Sequence, residues 1–152
     1  MRTLFKNELL RQMKKNDNIY LLLGGIGWGY FEPDDKRIID CEASESAMVD
    51  IAVGLALSGK IPFVYSITPH LYRAFESVRI YLDHEKIPVK LIGCGRDKDY
   101  GNLGFTHWAG DDREFYPLFK NLVCRWPEKE EIKALVKVMI TDKRPYYVNL
   151  SR

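Results

Sequence analysis

Apolar positions along this chain follow two different periods. In residues 4–14, Phe5, Leu9 and Met13 recur every four residues with Leu10 beside them. That spacing predicts a helix whose outer side carries Asn7, Glu8, Arg11 and Lys14. Continuous apolar runs at 19–23, 61–65 and 88–93 predict buried parallel strands, with shorter ones at 38–39 and 122–124 and a last strand at 146–150. Between Ser44 and Gly59 the pattern returns to helical spacing, with Ala47, Met48, Ile51, Ala52, Leu55 and Ala56 forming one stripe. Ser44 is the expected N-cap there and Gly59 the expected stop. A third helix is predicted over 71–85, burying Leu71, Ala74, Phe75, Val78 and Leu82. A short helical piece follows at 115–119, and another helix over 127–140 carries Ile132, Leu135, Val136 and Met139. Residues 94–112 hold Gly95, Gly101, Gly104 and Gly110 with no period, so they read as a long functional or mobile loop.

Strands alternating with helices of this length predict an α/β domain, a three-layer α/β/α arrangement around a mostly parallel sheet. No repeat or linker interrupts the pattern, and 152 residues suit one core better than two, so a single domain over 1–152 is expected. In such sheets ligands gather at the carboxyl ends of the strands. Four features fall there: a glycine loop at 24–29, Glu45, a turn at 66–70, and the 94–112 loop. The glycine loop does not fit a dinucleotide fingerprint, because the third glycine falls at Tyr30 and residues 31–35 form a turn where a helix should begin. Glu45 sits in the first turn of its helix, where the helix dipole alone would favour an acid by about 0.3–1 kcal/mol.

Composition narrows the classes. With 23 basic and 21 acidic residues the net charge is only +2, and basic residues form no run longer than a pair, so nothing signals nucleic acid. Three well-separated cysteines, Cys41, Cys94 and Cys124, indicate neither a disulfide framework nor a metal motif, and imply a reducing compartment. The charged N-terminus makes a poor signal peptide, and no run approaches the roughly 20 apolar residues of a membrane span. The expectation is a soluble, cytoplasmic protein that does not engage membranes.

Taken in order, several segments resemble the pyrimidine-binding domain of the transketolase family of thiamine diphosphate enzymes. Ala43-Ser44-Glu45-Ser46-Ala47-Met48 and the residues through Tyr65 are similar to the segment around that family's cofactor-activating glutamate, with Glu45 nine residues before Gly54. Tyr72-Arg73-Ala74-Phe75-Glu76 resembles the helix that follows. Tyr100-Gly101-Asn102-Leu103-Gly104-Phe105-Thr106-His107 resembles the Gly-Pro-Thr-His loop. The resemblance implies that Glu45 hydrogen-bonds the pyrimidine N1′ and stabilises the imino tautomer that takes the C2 proton. It implies that His107 faces the substrate and assists proton transfer. At the turn where relatives place phenylalanines against the pyrimidine, this chain has Ile67 and His70. These two, with Tyr72 and Arg73, are the candidate cofactor contacts. Gly25 stands where an aspartate is common, Phe105 replaces the proline, and Leu103 stands where transketolases often have an acid.

The resemblance also defines what is missing. Mg²⁺ and the diphosphate are held in this family by a second domain carrying Gly-Asp-Gly and an asparagine, because magnesium needs an octahedron of oxygens beside the phosphates. No Gly-Asp-Gly occurs here, and Asp111-Asp112 reads as a helix N-terminus rather than a metal site. The resemblance leads to the expectation that the family's carboxyl-terminal domain is missing too. The expectation is therefore the pyrimidine-binding subunit of a split transketolase-like enzyme. It would pair with a diphosphate-binding subunit, two copies of each, and move a two-carbon ketol unit between sugar phosphates or related sugars. The alternatives are a subunit of a 2-keto acid decarboxylase or deoxyxylulose-phosphate-type synthase, or a catalytically silent regulatory subunit.

Overall fold

A computed structural model describes residues 1–27, 30–31 and 34–152. Trp28 and Gly29 of the glycine loop, and Glu32 and Pro33 of the following turn, lie outside the described residues. The apolar runs form strands β1 (Ile19–Leu23), β2 (Ile38–Asp40), β3 (Ile61–Ile67), β4 (Lys90–Cys94), β5 (Val123–Arg125) and β6 (Tyr146–Leu150). They make one sheet in the order β2-β1-β3-β4-β6-β5, and every pairing is parallel. Helices α1 (Arg2–Met13) and α5 (Ile132–Thr141) cover one face, and α2 (Glu45–Leu57) and the 68–84 segment cover the other.

Strand alternation divides the core between these faces. Leu21, Leu23, Phe63, Tyr65, Ile92 and Cys94 pack with Phe5, Leu9, Val136 and Met139. Leu22, Val64, Leu91 and Tyr147 pack with Met48, Val49, Ala52, Val78 and Leu82. Two helical expectations shift in detail. The buried side of α2 is Glu45, Met48, Val49, Ala52 and Val53, while Ala47 is exposed and Ile51 is 45% exposed. On α1, Glu8 is buried and accepts hydrogen bonds from Arg11 and Gln12 rather than facing water.

The segment predicted as one helix over 71–85 has three parts: a 3₁₀ stretch Thr68–Ala74, a single α turn α3 (Phe75–Ser77) and a π-helical stretch Val78–His84. Pro69 at its first turn fixes the tight start. The piece predicted at 115–119 begins earlier, as α4 (Asp112–Phe115), and tightens into a 3₁₀ turn, Tyr116–Leu118. The helix predicted over 127–140 likewise opens with a 3₁₀ turn, Lys129–Glu131, closed by a capping box between Glu128 and Glu131. Gly59 has φ +78° just beyond α2, as a helix stop requires. Ser44 occupies the N-cap position of α2 without a side-chain capping bond.

At the sheet's amino end, Lys90 is buried at the start of β4 and its Nζ donates to the carbonyls of Asp142 and Arg144. Burial pushes its pKa down from 10.5 to about 8. A base whose folded pKa is depressed binds fewer protons folded than unfolded, here between pH 8 and 10.5, so stability rises with pH across that window. Relative to Lys90→Met, which cannot titrate, the wild-type chain should gain stability as pH rises from 8 to 10.5. Urea midpoints that track each other across the window would contradict this.

Candidate functional site

The chain runs from β1 outward to β2, then crosses back to β3 on the other side of β1, so the strand order switches direction between β1 and β3. Carboxyl ends at such a switch leave a crevice. Gly24, just past β1, packs so closely on β3 that a Cβ there would lie 2.8 Å from Ser66 Oγ and 3.0 Å from Met48 Cε. Glycine at 24 is thus a requirement of the crevice floor.

Glu45 enters this crevice from the first turn of α2 and is almost completely buried, at 1% exposure. Its Oε1 accepts a hydrogen bond from Ser66 Oγ at 3.2 Å, and Ser66 is also 3.2 Å from the Gly24 carbonyl. Its Oε2 accepts from an Arg73 guanidinium nitrogen at 2.9 Å. His70 Nδ1 lies 3.6 Å from Oε1. Burial and the nearby charges of Arg73 and His107 lower the His70 pKa, with Glu45 opposing them, so His70 is neutral near pH 7. The His70–Glu45 approach is therefore a polar contact and no ion pair at that pH. Arg73, whose side chain is 56% exposed, is the charged partner of the carboxylate.

Beyond His70 stands His107, their rings edge to face with centroids 5.1 Å apart. His107 lies in a 3₁₀ turn, Phe105–His107, of the long loop, and its Nδ1 is 2.9 Å from Thr106 Oγ1, which leaves Nε2 for other partners. The loop has no periodicity but is tied down. Ala109 N–H donates to the Asp97 carbonyl at 2.8 Å, and Arg96 is buried and donates to the Asn149 and Pro127 carbonyls. Tyr72 OH donates to Asp111 Oδ1 at 2.7 Å, which joins the loop to the 68–74 stretch. Burial and that bond push the Tyr72 phenol well above its ordinary pKa, so it stays a donor.

Of the residues marked in the sequence, Glu45, His70, Arg73 and His107 therefore meet in one line. Ile67 and Tyr72 do not join them: Ile67 ends β3 within the apolar cluster of Tyr65, Cys94 and Tyr100, on the opposite sheet face from Ser66, and Tyr72 turns toward Asp111. The sequence reading missed Ser66, Thr106 and Asp111. Ser66 does carry a signal, because a hydroxyl inside the strand run 61–67 needs a partner when buried.

Asp112 is the other buried acid, at 2% exposure. Its Oδ2 accepts from Trp126 Nε1, Tyr147 OH and Asn149 Nδ2 at 2.6, 2.8 and 2.6 Å. Burial holds the Tyr147 phenol well above its ordinary pKa, so it remains a donor to the carboxylate. Asp111 takes the N-cap position of α4, and its neighbour organises the core beneath the loop. Among the described residues no group of three His, Cys, Asp or Glu side chains could hold a metal ion, and no helix is long and apolar enough to cross a membrane.

A family model described as the transketolase pyrimidine binding domain matches residues 2–152. The chain is 27% identical to an apulose-4-phosphate transketolase subunit of Phocaeicola vulgatus, across 97% of this chain and 50% of that protein. It is 31% identical to the 1-deoxy-D-xylulose-5-phosphate synthase of Fusobacterium nucleatum, across 86% of this chain and 23% of the synthase. Its fold is that of a solved split-gene transketolase described as an inactive β4 tetramer, with TM-score 0.85 at 23% identity over 99% of this chain and 51% of the other. The Leishmania mexicana transketolase superposes with TM-score 0.88 at 19% identity over 99% of this chain and 25% of its own. The chain thus spans about half the length, or less, of the curated relatives it matches.

Proposed function

The chain belongs to the transketolase pyrimidine-binding domain family, and on that footing we propose that it is the pyrimidine-binding subunit of a split, thiamine diphosphate-dependent, transketolase-like enzyme of the cytoplasm. The observation that carries this reading is the buried Glu45 carboxylate at the switch point of the sheet, held by Ser66 and reached from outside through Arg73 and His70. Its residues suit the aminopyrimidine. One carboxylate oxygen is fixed to the protein interior, and the other is paired with a side chain that solvent can reach, so an N–H heterocycle can dock there without leaving Ser66 unpaired.

When bound, thiamine diphosphate supplies a thiazolium carbon that takes up and releases a two-carbon unit. Glu45 binds and orients the pyrimidine at N1′, and its shielding from water keeps that hydrogen bond strong. His70 contributes its ring to the pyrimidine side of the crevice, Arg73 and Tyr72 border it on the same wall, and Ile67 contributes through the position it gives the end of β3. His107 holds or moves a proton at Nε2 on the substrate side, with Thr106 fixing its ring through Nδ1. Mg²⁺ and the diphosphate are held by a Gly-Asp-Gly-containing partner subunit, in an assembly with two copies of each chain. Relatives named for apulose-4-phosphate and for deoxyxylulose phosphate support a phosphorylated sugar as substrate.

The test is reconstitution with a partner carrying Gly-Asp-Gly and a downstream asparagine. Two-carbon transfer from a ketose phosphate to an aldose phosphate should require both chains, thiamine diphosphate and Mg²⁺ together. Transfer that persists without the cofactor would overturn the reading. Carbon dioxide release from pyruvate in the same assay would move the assignment to a synthase-type reaction.

A further inference from the structure

We propose that Arg73 stands in for the cofactor. It donates to the Glu45 oxygen that the aminopyrimidine would use, so that loading the site requires its side chain to swing away. The inference rests on the functional reading above. Glu45 offers a visitor little choice of acceptor. Oε1 is committed to Ser66 on the crevice floor, with His70 beside it, and Oε2 is taken by Arg73 at 2.9 Å. Of these three neighbours Ser66 is fully buried and the His70 side chain is 21% exposed, whereas the Arg73 side chain is 56% exposed. The guanidinium is thus the one partner that can leave without stranding a buried polar group, because water satisfies it outside.

The surrounding bonds confine this motion to the side chain. Ser46 Oγ of α2 donates to the Arg73 carbonyl at 2.8 Å, and the preceding residue, Tyr72, is tied to Asp111. The backbone at 72–73 is therefore anchored from two elements, and rotation about the Arg73 side-chain bonds remains. A pocket of about 270 Å³ adjoins the pair and is lined by His70, Tyr72, Arg73, Thr106 and Asp111 among others, so a displaced guanidinium has room and a carboxylate within the same wall. In the unloaded chain this arrangement keeps a buried carboxylate paired. In the loaded complex it sets a cost on cofactor entry.

Binding, rather than turnover, reads this out. In the reconstituted complex with Mg²⁺, Arg73→Met should tighten the Kd for thiamine diphosphate roughly three- to tenfold, the range of a charge-assisted hydrogen bond partly screened by water. Arg73→Lys should fall between Arg73→Met and wild type. In a Glu45→Gln background the gain from Arg73→Met should vanish, because the cost arises through that carboxylate. In the isolated chain, ¹⁵N NMR should show the Arg73 guanidinium held against rotation, and freed by Glu45→Gln. A weaker Kd for Arg73→Met would make Arg73 a direct cofactor ligand and overturn the proposal, as would a freely rotating guanidinium in the wild-type chain. If wild type and every variant failed to bind thiamine diphosphate beside the partner, the functional reading itself would fall and this inference with it.

Discussion

Glu45→Ala should lower the proposed two-carbon transfer by the reconstituted complex roughly 10²- to 10⁴-fold, the usual scale for losing a positioned acid–base group. The folded chain should tolerate the change. Ser66 keeps the Gly24 carbonyl as acceptor, Arg73 turns to solvent, and His70, whose side chain is 21% exposed, makes no hydrogen bond to Glu45 that would be lost, so no buried donor is orphaned. The expected shift in unfolding free energy is within about 1 kcal/mol, since loss of the pair is offset by release of a buried charge. Rate and urea midpoint measured on the same preparation separate the two effects. Full activity with Glu45→Ala would refute the proposed chemistry, and would favour a silent subunit that kept only the fold.

Asp112→Ala should show the opposite division, with a large loss of stability from a residue outside the crevice. Trp126, Tyr147 and Asn149 all donate to one oxygen of this carboxylate. Removing it leaves three donors without an acceptor, the fully buried Tyr147 and Asn149 and the part-buried Trp126, which costs on the order of 3–5 kcal/mol. Asp112→Asn retains one carbonyl oxygen in place of the carboxylate and should cost less. Those donors come from the segment after β5 and from β6, so the carboxylate joins the long loop's end to the far side of the sheet. Equilibrium urea unfolding measures the loss, and a change below about 1 kcal/mol for Asp112→Ala would show that the donors find other partners.

These two acids also show what the sequence could and could not disclose. The strand and helix order was legible because buried parallel strands are apolar throughout and helices bury residues at three- and four-residue spacing. The place of Glu45 in the first turn of α2 was legible through the segment around it. Asp112 was not, because its partners lie 14, 35 and 37 residues away and none announces itself as a donor to this carboxylate. The stripe on α2 is rotated rather than reversed for a related reason, with Met48 and Ala52 buried as expected and Ala47 and Ile51 exposed. Val49 and Val53 compete with Ala47 and Ile51 as apolar choices, and only docking on the sheet selects the first pair. Tyr72 and Ile67 sit within a few residues of His70, but the direction of each side chain depends on the 3₁₀ turn begun by Pro69 and on strand alternation up to β3's last residue.

The sheet ends on both sides in strands of three residues, β2 and β5. An edge that short is a poor template for another chain's backbone, so intermolecular strand addition and the fibrous aggregation that follows from it are disfavoured at both margins. A second polypeptide that joins this one has to recognise side chains on its faces and loops. Specificity of assembly is then written in residues that can vary without disturbing the hydrogen-bonded ladder.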